Sequence, residues 1–211
     1  MTTRKAAAPF RATSMPDRDW WSALWPDPEG VLRLLGIEPH MTVLDLCCGD
    51  GYFTAPLARL VGGKVHALDL DPAMIEQAKL EVASQGASVR QWICADALDV
   101  AEHIGDPVDV VLMANTFHGV PDQTRLATEI RKVLRPEGAF AVVNWHSLPR
   151  EETTVLGQPR GPATETRMAP EAVVAAVEPA GFRIARIVEL PPYHYGVYLR
   201  SGTVPPTSVL P

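Results

Sequence analysis

The segment Val43-Leu44-Asp45-Leu46-Cys47-Cys48-Gly49-Asp50-Gly51-Tyr52 sets a G-x-G turn directly between an apolar run and a stretch of helical period. Glycine there lets backbone approach a ligand closely, and the helix start beside it offers free N–H groups. Asp69 closes the next apolar run 20 residues after Gly49, the offset at which a carboxylate accepts from a ribose hydroxyl. Together the two signals point to an adenosine-type cofactor. The dinucleotide fingerprint G-x-G-x-x-G needs glycine or alanine at position 54, and this chain has Thr54. Asp45, at the end of the first apolar run, disfavours a neighbouring pyrophosphate and suits a cationic or amino-bearing ligand.

S-adenosylmethionine carries both an ammonium and a sulfonium. Methyl transfer from a sulfonium is an in-line displacement with a neutral leaving group, so the protein mainly aligns a nucleophile and excludes water. A base helps when the acceptor holds a proton. His118, in Ala114-Asn115-Thr116-Phe117-His118-Gly119-Val120, is the first candidate for that base, and His146, after the fifth apolar run, is the second. A structural histidine is the plain alternative for both. His194 lies between Tyr193 and Tyr195, where strand alternation separates it from the tyrosines. Trp20, Trp21 and Trp25 form an aromatic cluster that either roofs a cleft, attracting a cation or stacking on a flat acceptor, or simply packs an N-terminal helix on the sheet edge. As an exposed cluster it would leave room for a homodimer. Arg160 is either an anion contact or solvated. Cys47, Cys48 and Cys94 form neither a CxxC pair nor an even framework, and read as small apolar fillers.

These residues have to be positioned by strands and helices, and apolar runs alternate with helical periods along the chain, the mark of an α/β fold with a mainly parallel sheet. The spacing predicts strands over Thr42–Cys47, Lys64–Leu70, Val89–Cys94, Val108–Ala114 and Gly138–Trp145. Helices are expected over Tyr52–Val61, Pro72–Ser84, Asp122–Leu134 and Pro170–Ala180, with Asp71 and Pro72 shaped for a helix start. An antiparallel pair, Phe182–Leu190 and Tyr193–Arg200, is expected to finish the sheet. Residues 1–40 read as an N-terminal helical cap, 146–169 as a structureless lid or substrate loop, and 201–211 as a loose tail.

The ordered segments VLDLCCGDGYF, HALDLDPAMIEQA, CADAL, DVVLMANTFHGVPD and LRPEGAFAVVNW resemble the motifs of the class I S-adenosylmethionine-dependent methyltransferases. The resemblance runs from about Met41 to Leu199. It implies a three-layer Rossmann-like sandwich around a seven-stranded, mainly parallel sheet whose last strand is antiparallel. It implies a cofactor turn at Gly49 and Gly51, Asp45 near the methionine amino end, and Asp69 on the ribose beside Leu70. Asp96 beside Ala97 would neighbour the adenine amine, with Asn115 at the same edge. The family's first motif glycine is Cys47 here. Asn115-Thr116-Phe117-His118 departs from the Asn/Asp-Pro-Pro-aromatic tetrad of the enzymes that methylate amino groups of nucleic acids and protein amides. The carboxylate set of metal-assisted catechol methylation is missing, so no metal is expected.

The chain's 211 residues suffice for one core, and 46% apolar with 21% charged residues is globular composition. A net charge of −6 lacks the basic field for phosphate-backbone binding. No apolar run approaches a membrane span, and the N-terminus lacks a signal-peptide pattern. The expectation is a cytoplasmic small-molecule methyltransferase binding neither nucleic acid nor membrane. A non-catalytic cofactor-binding module and a nicotinamide-dependent oxidoreductase are the alternatives.

Overall fold

A computed structural model describes residues 18–202. In chain order the elements are α1 (Arg18–Leu24), α2 (Pro28–Leu34), β1 (Val43–Leu46), α3 (Thr54–Leu60), β2 (Val65–Asp69), α4 (Pro72–Ser84) and β3 (Gln91–Cys94). They continue with β4 (Val108–Ala114), α5 (Gln123–Val133), β5 (Leu134–Trp145), β6 (Thr154–Val155), β7 (Gln158–Pro159), α6 (Pro170–Val177), β8 (Phe182–Leu190) and β9 (His194–Ser201).

Seven strands form one sheet in the order β3-β2-β1-β4-β5-β9-β8. The strands from β3 to β5 pair in parallel, while β9 runs antiparallel to both β5 and β8. The family's implied sheet is therefore present, with the antiparallel strand slotted inside the edge. β1 and β4 are buried along almost their whole length, which is why their sequences read as continuous apolar runs rather than as alternation.

Alternation in β5 sorts its side chains onto two cores. Ala139, Ala141, Val143 and Trp145 join α1, α2 and α3 on one face, and Phe140 and Val142 join α5 and α6 on the other. Aspartates start three of the helices: Asp27, Asp71 and Asp122 accept from the backbone N–H of Gly30, Ala73 and Arg125 at 2.8–2.9 Å.

The differences from expectation are local. β5 begins at Leu134 rather than Gly138, because Leu134 pairs with Val108 before a register shift that resumes at Val110 and Ala139. Glu137, with φ 63°, marks that shift. The segment 146–169 is not structureless: it holds the β6–β7 hairpin and two 3-10 turns, Arg150–Glu152 and Thr164–Thr166. Arg167 organises it, donating to the carbonyls of Leu148, Arg160 and Pro162 and to the Thr153 hydroxyl at 2.9–3.2 Å. Trp20, Trp21 and Trp25 are buried rather than exposed, stacked on one another and tilted against Trp145 and His194, so they offer no surface for a dimer. Of the expected cap and tail, residues 1–17 and 203–211 lie outside the described residues.

Candidate functional site

The loops after β1, β2, β3 and β4 and the strand ends of β5 and β9 share the carboxyl edge of the sheet, where ligands of open α/β sheets bind. The turn after β1 is wound by three positive φ angles: Cys47 at 63°, Gly49 at 55° and Gly51 at 87°. Glycine is required at position 51, since a Cβ there would come within 2.8 Å of the Ala78 Cα on α4. Cys47 takes the left-handed conformation with a side chain, at a steric cost of roughly 1–2 kcal/mol. That strain is the physical meaning of a glycine at this place in the family pattern.

Asp69 reaches back to this turn. Its Oδ2 accepts from the Gly49 N–H at 2.9 Å and its Oδ1 from the Asp71 N–H at 2.9 Å. Asp45 is buried at 2% exposure and accepts from the Thr54 hydroxyl at 2.6 Å. Burial pushes its carboxyl up to about 7, the Thr54 bond pulls it back, and the Asp69 charge adds to the rise. Asp96 accepts from the Leu98 N–H at 2.9 Å and starts a 3-10 turn whose first residue, Ala97, is buried. The Cys47 thiol is held well above its usual range by burial and then by Asp69, Asp45 and Asp96 together. Asp69 thus bonds to the turn, and Asp45 precedes it on β1. Leu70 follows Asp69 half-buried. Asn115, with φ 58°, ends β4 with its side-chain oxygen buried and unpartnered.

This donor set fits a cationic adenosine derivative and opposes a pyrophosphate, since each acidic group favours positive charge nearby. Cys47 and Cys48, both raised by burial, are inert as thiols. Among the described residues no three His, Cys, Asp or Glu side chains gather as a metal-ligating group.

His118 sits in the 3-10 turn after β4, with Nδ1 3.4 Å from the Asn144 Oδ1 at the end of β5. An amide oxygen only accepts, so Nδ1 carries the proton and Nε2 keeps its lone pair. Burial lowers the His118 pKa; the Asn144 bond opposes this and Arg167 reinforces it, leaving the ring neutral at pH 7. His146 is engaged elsewhere, its Nε2 lying 2.9 Å from Glu189 on β8.

A second group was not assembled by sequence reasoning. His194 is fully buried between Trp25 and Trp145, with ring centroids at 4.4 and 4.0 Å, and neither of its nitrogens has a partner. Its pKa falls well below the usual value through burial and then through His146 and Arg167. Trp21 Nε1, Trp25 Nε1, Asn144 Nδ2 and Arg160 Nε are likewise buried and unpartnered. With Asn115 Oδ1 and the two His194 nitrogens they make seven of the eight such atoms among the described residues, the exception being His66 Nε2. Each unsatisfied buried group costs roughly 1–3 kcal/mol. Most of them belong to residues at the β4, β5 and β9 end of the sheet and to the tryptophans packed on it. The signal in the sequence was the tryptophan cluster, but nothing in it placed His194 underneath.

Residues 43–138 match the family model of a methyltransferase domain. A crystal structure of a SAM-dependent methyltransferase from Aquifex aeolicus superposes with a TM-score of 0.70 at 28% identity, covering 88% of this chain and 94% of that one. Part of this chain thus matches a methyltransferase domain, and its fold is that of a SAM-dependent methyltransferase. Among curated relatives, 2-phytyl-1,4-naphtoquinone methyltransferase of Trichormus variabilis is 32% identical over 135 residues, 61% of this chain and 58% of the relative. The tRNA 5-carboxymethoxyuridine methyltransferase of Escherichia coli K12 is 34% identical over 128 residues, 59% of this chain and 48% of the relative. The chain spans about half the length of the curated relatives it matches.

Proposed function

We propose that this protein transfers a methyl group from S-adenosylmethionine to a small-molecule acceptor. The observation that carries the reading is the bond from the Gly49 N–H in the turn at Cys47–Gly51 to Asp69 at the end of β2, with the buried Asp45 just ahead of that turn on β1. Bound there, S-adenosylmethionine supplies an electrophilic methyl group on a positively charged sulfur. Asp69 would hold the ribose hydroxyls beside Leu70 while its bond to Gly49 keeps the turn in place. Asp45, in its ionised form, would face the amino end, and Gly49 would let the backbone approach the cofactor, while Gly51 lets the turn pass close to α4. Asp96 and Ala97 would neighbour the adenine, and Asn115 would stand at the same edge after β4.

His118 is the group to take a proton from the acceptor. Burial keeps it neutral, and Asn144 fixes the tautomer that leaves Nε2 basic. His146, tied to Glu189, is the weaker candidate. Residues 41–200 act as the catalytic unit, with 146–169 as the wall of the acceptor side. The relatives' names include both a quinone and a tRNA methyltransferase. A net charge of −6 supports the small molecule over the nucleic acid. Among the described residues no helix is long and apolar enough to cross a membrane; together with the three free cysteines this supports a cytoplasmic enzyme. The test is a turnover screen, reading S-adenosylhomocysteine formed from S-adenosylmethionine across phenols, thiols, amines, carboxylates and a tRNA. Turnover on one of the small molecules supports the reading, and turnover on the tRNA alone overturns the choice of acceptor.

A further inference from the structure

The unpartnered atoms at the β5–β9 end are not a random mixture. Trp21 Nε1, Trp25 Nε1, Asn144 Nδ2 and Arg160 Nε are donors, whereas Asn115 Oδ1 is an acceptor and the neutral His194 ring offers one of each. Donors therefore outnumber acceptors, which matches a ligand carrying oxygens that accept hydrogen bonds.

Charge points the same way. The Arg167 guanidinium lies over the Trp145 ring at 5.1 Å, and the Arg160 guanidinium over Trp20 at 5.9 Å. The faces that would attract a cationic acceptor are already taken by the protein's own cations. Among the described residues no ion pair includes Arg160 or Arg167. The nearby carboxylates are exposed: Glu189 is bound to His146, Asp19 accepts from the Trp20 N–H, and Glu151 and Glu171 act only at a distance, on Arg167 and Tyr195. Burial lowers the pKa of both His118 and His194, so neither adds a charge at neutral pH. The rings around these atoms are flat, with Trp20 stacked on Trp21 at 4.5 Å and tilted at 6.2 Å from Trp145.

We infer that the acceptor is a planar aromatic molecule, neutral or anionic, bearing hydroxyl, carbonyl or carboxylate oxygens, with its oxygens held by the Trp21 and Trp25 indole N–H groups and by Arg160. An amine acceptor is the wrong charge for this end of the site. The inference rests on the methyltransferase reading, because it names the acceptor of that same site.

The test is calorimetry on the full chain, first titrated with S-adenosylhomocysteine and then, in its presence, with hydroxynaphthoate, with naphthylmethylammonium and with an RNA stem-loop. Hydroxynaphthoate is expected to bind about tenfold or more tightly than the ammonium, the step worth one charge-assisted hydrogen bond. Arg160→Ala, on a surface loop, and Trp21→Phe, which keeps the ring and removes the N–H, should each weaken hydroxynaphthoate about five- to tenfold and leave S-adenosylhomocysteine unchanged. Equal or tighter binding of the ammonium or the RNA, no binding of hydroxynaphthoate, or indifference to both substitutions overturns the inference. Absence of S-adenosylhomocysteine binding instead contradicts the underlying methyltransferase reading.

Discussion

The His118 ring faces the Asn144 amide across 3.4 Å, joining the turn after β4 to the last turn-facing residue of β5. Asn144 stands opposite Tyr195 in the β5–β9 register, and the Tyr195 hydroxyl donates to the Met168 carbonyl at 2.7 Å. The histidine is thus oriented by two strands and the start of the segment that leads into α6. His118→Ala is expected to lower kcat by roughly 10²–10⁴-fold on an acceptor that must lose a proton. Affinity for S-adenosylhomocysteine should stay within about twofold, well under the tenfold that 1.4 kcal/mol would produce. Equal losses of rate and affinity would remove His118 from the chemistry.

Asn144→Asp puts a charge where the amide oxygen now lies. An adjacent carboxylate favours the imidazolium and raises the His118 pKa. The acidic limb of the pH–rate profile should move upward accordingly, because the base works only when unprotonated. Profiles of the two proteins recorded side by side check this; an unmoved limb would show that another group sets it.

Asp45 links affinity and stability with opposite signs. Its carboxyl rises from 3.8 to about 7 in the folded chain, so the native state holds a proton that the unfolded chain releases. Stability of the ligand-free protein therefore falls as pH climbs from 3.8 to about 7, with the full penalty present above that range. Affinity for the cationic cofactor runs the other way, strengthening as Asp45 ionises. Asp45→Asn should melt higher than the parent at alkaline pH, yet bind S-adenosylmethionine about tenfold or more weakly, with a flattened pH dependence. Thermal melts and titrations across neutral pH read both effects.

Cys47→Gly should relieve the positive φ of 63°. The expected gain is up to about 1 kcal/mol, reduced by the sulfur's lost packing contacts, or a Tm increase of about 2–4 °C for a chain of this size. An unchanged or lower Tm would mean that the thiol's contacts outweigh the strain.

The sheet was legible because β1 and β4 are covered on both faces, so their apolar runs stand out between turn residues. The turn and Asp69 were legible because one offset ties them through a bond that the structure shows between Gly49 and Asp69. The start of β5 was hidden by Arg135-Pro136-Glu137, polar residues that pair before a register shift. The loop at 146–169 hid its hairpin because Arg167 organises it through backbone carbonyls, which leave no trace in side-chain pattern. The sequence leaves both a packing and a substrate-lining role open for His194, for a related reason. Strand alternation gives it a face, but its burial depends on tryptophans that lie some 170 residues earlier in the chain.

Calorimetric titration of S-adenosylmethionine into the parent chain and into Asp69→Ala bears most directly on the grip of the carboxylate rim. Saturable binding by the parent, weakened about tenfold or more by removal of that one carboxylate, is the predicted result. Binding of equal strength to both proteins, or heat from neither, would contradict it.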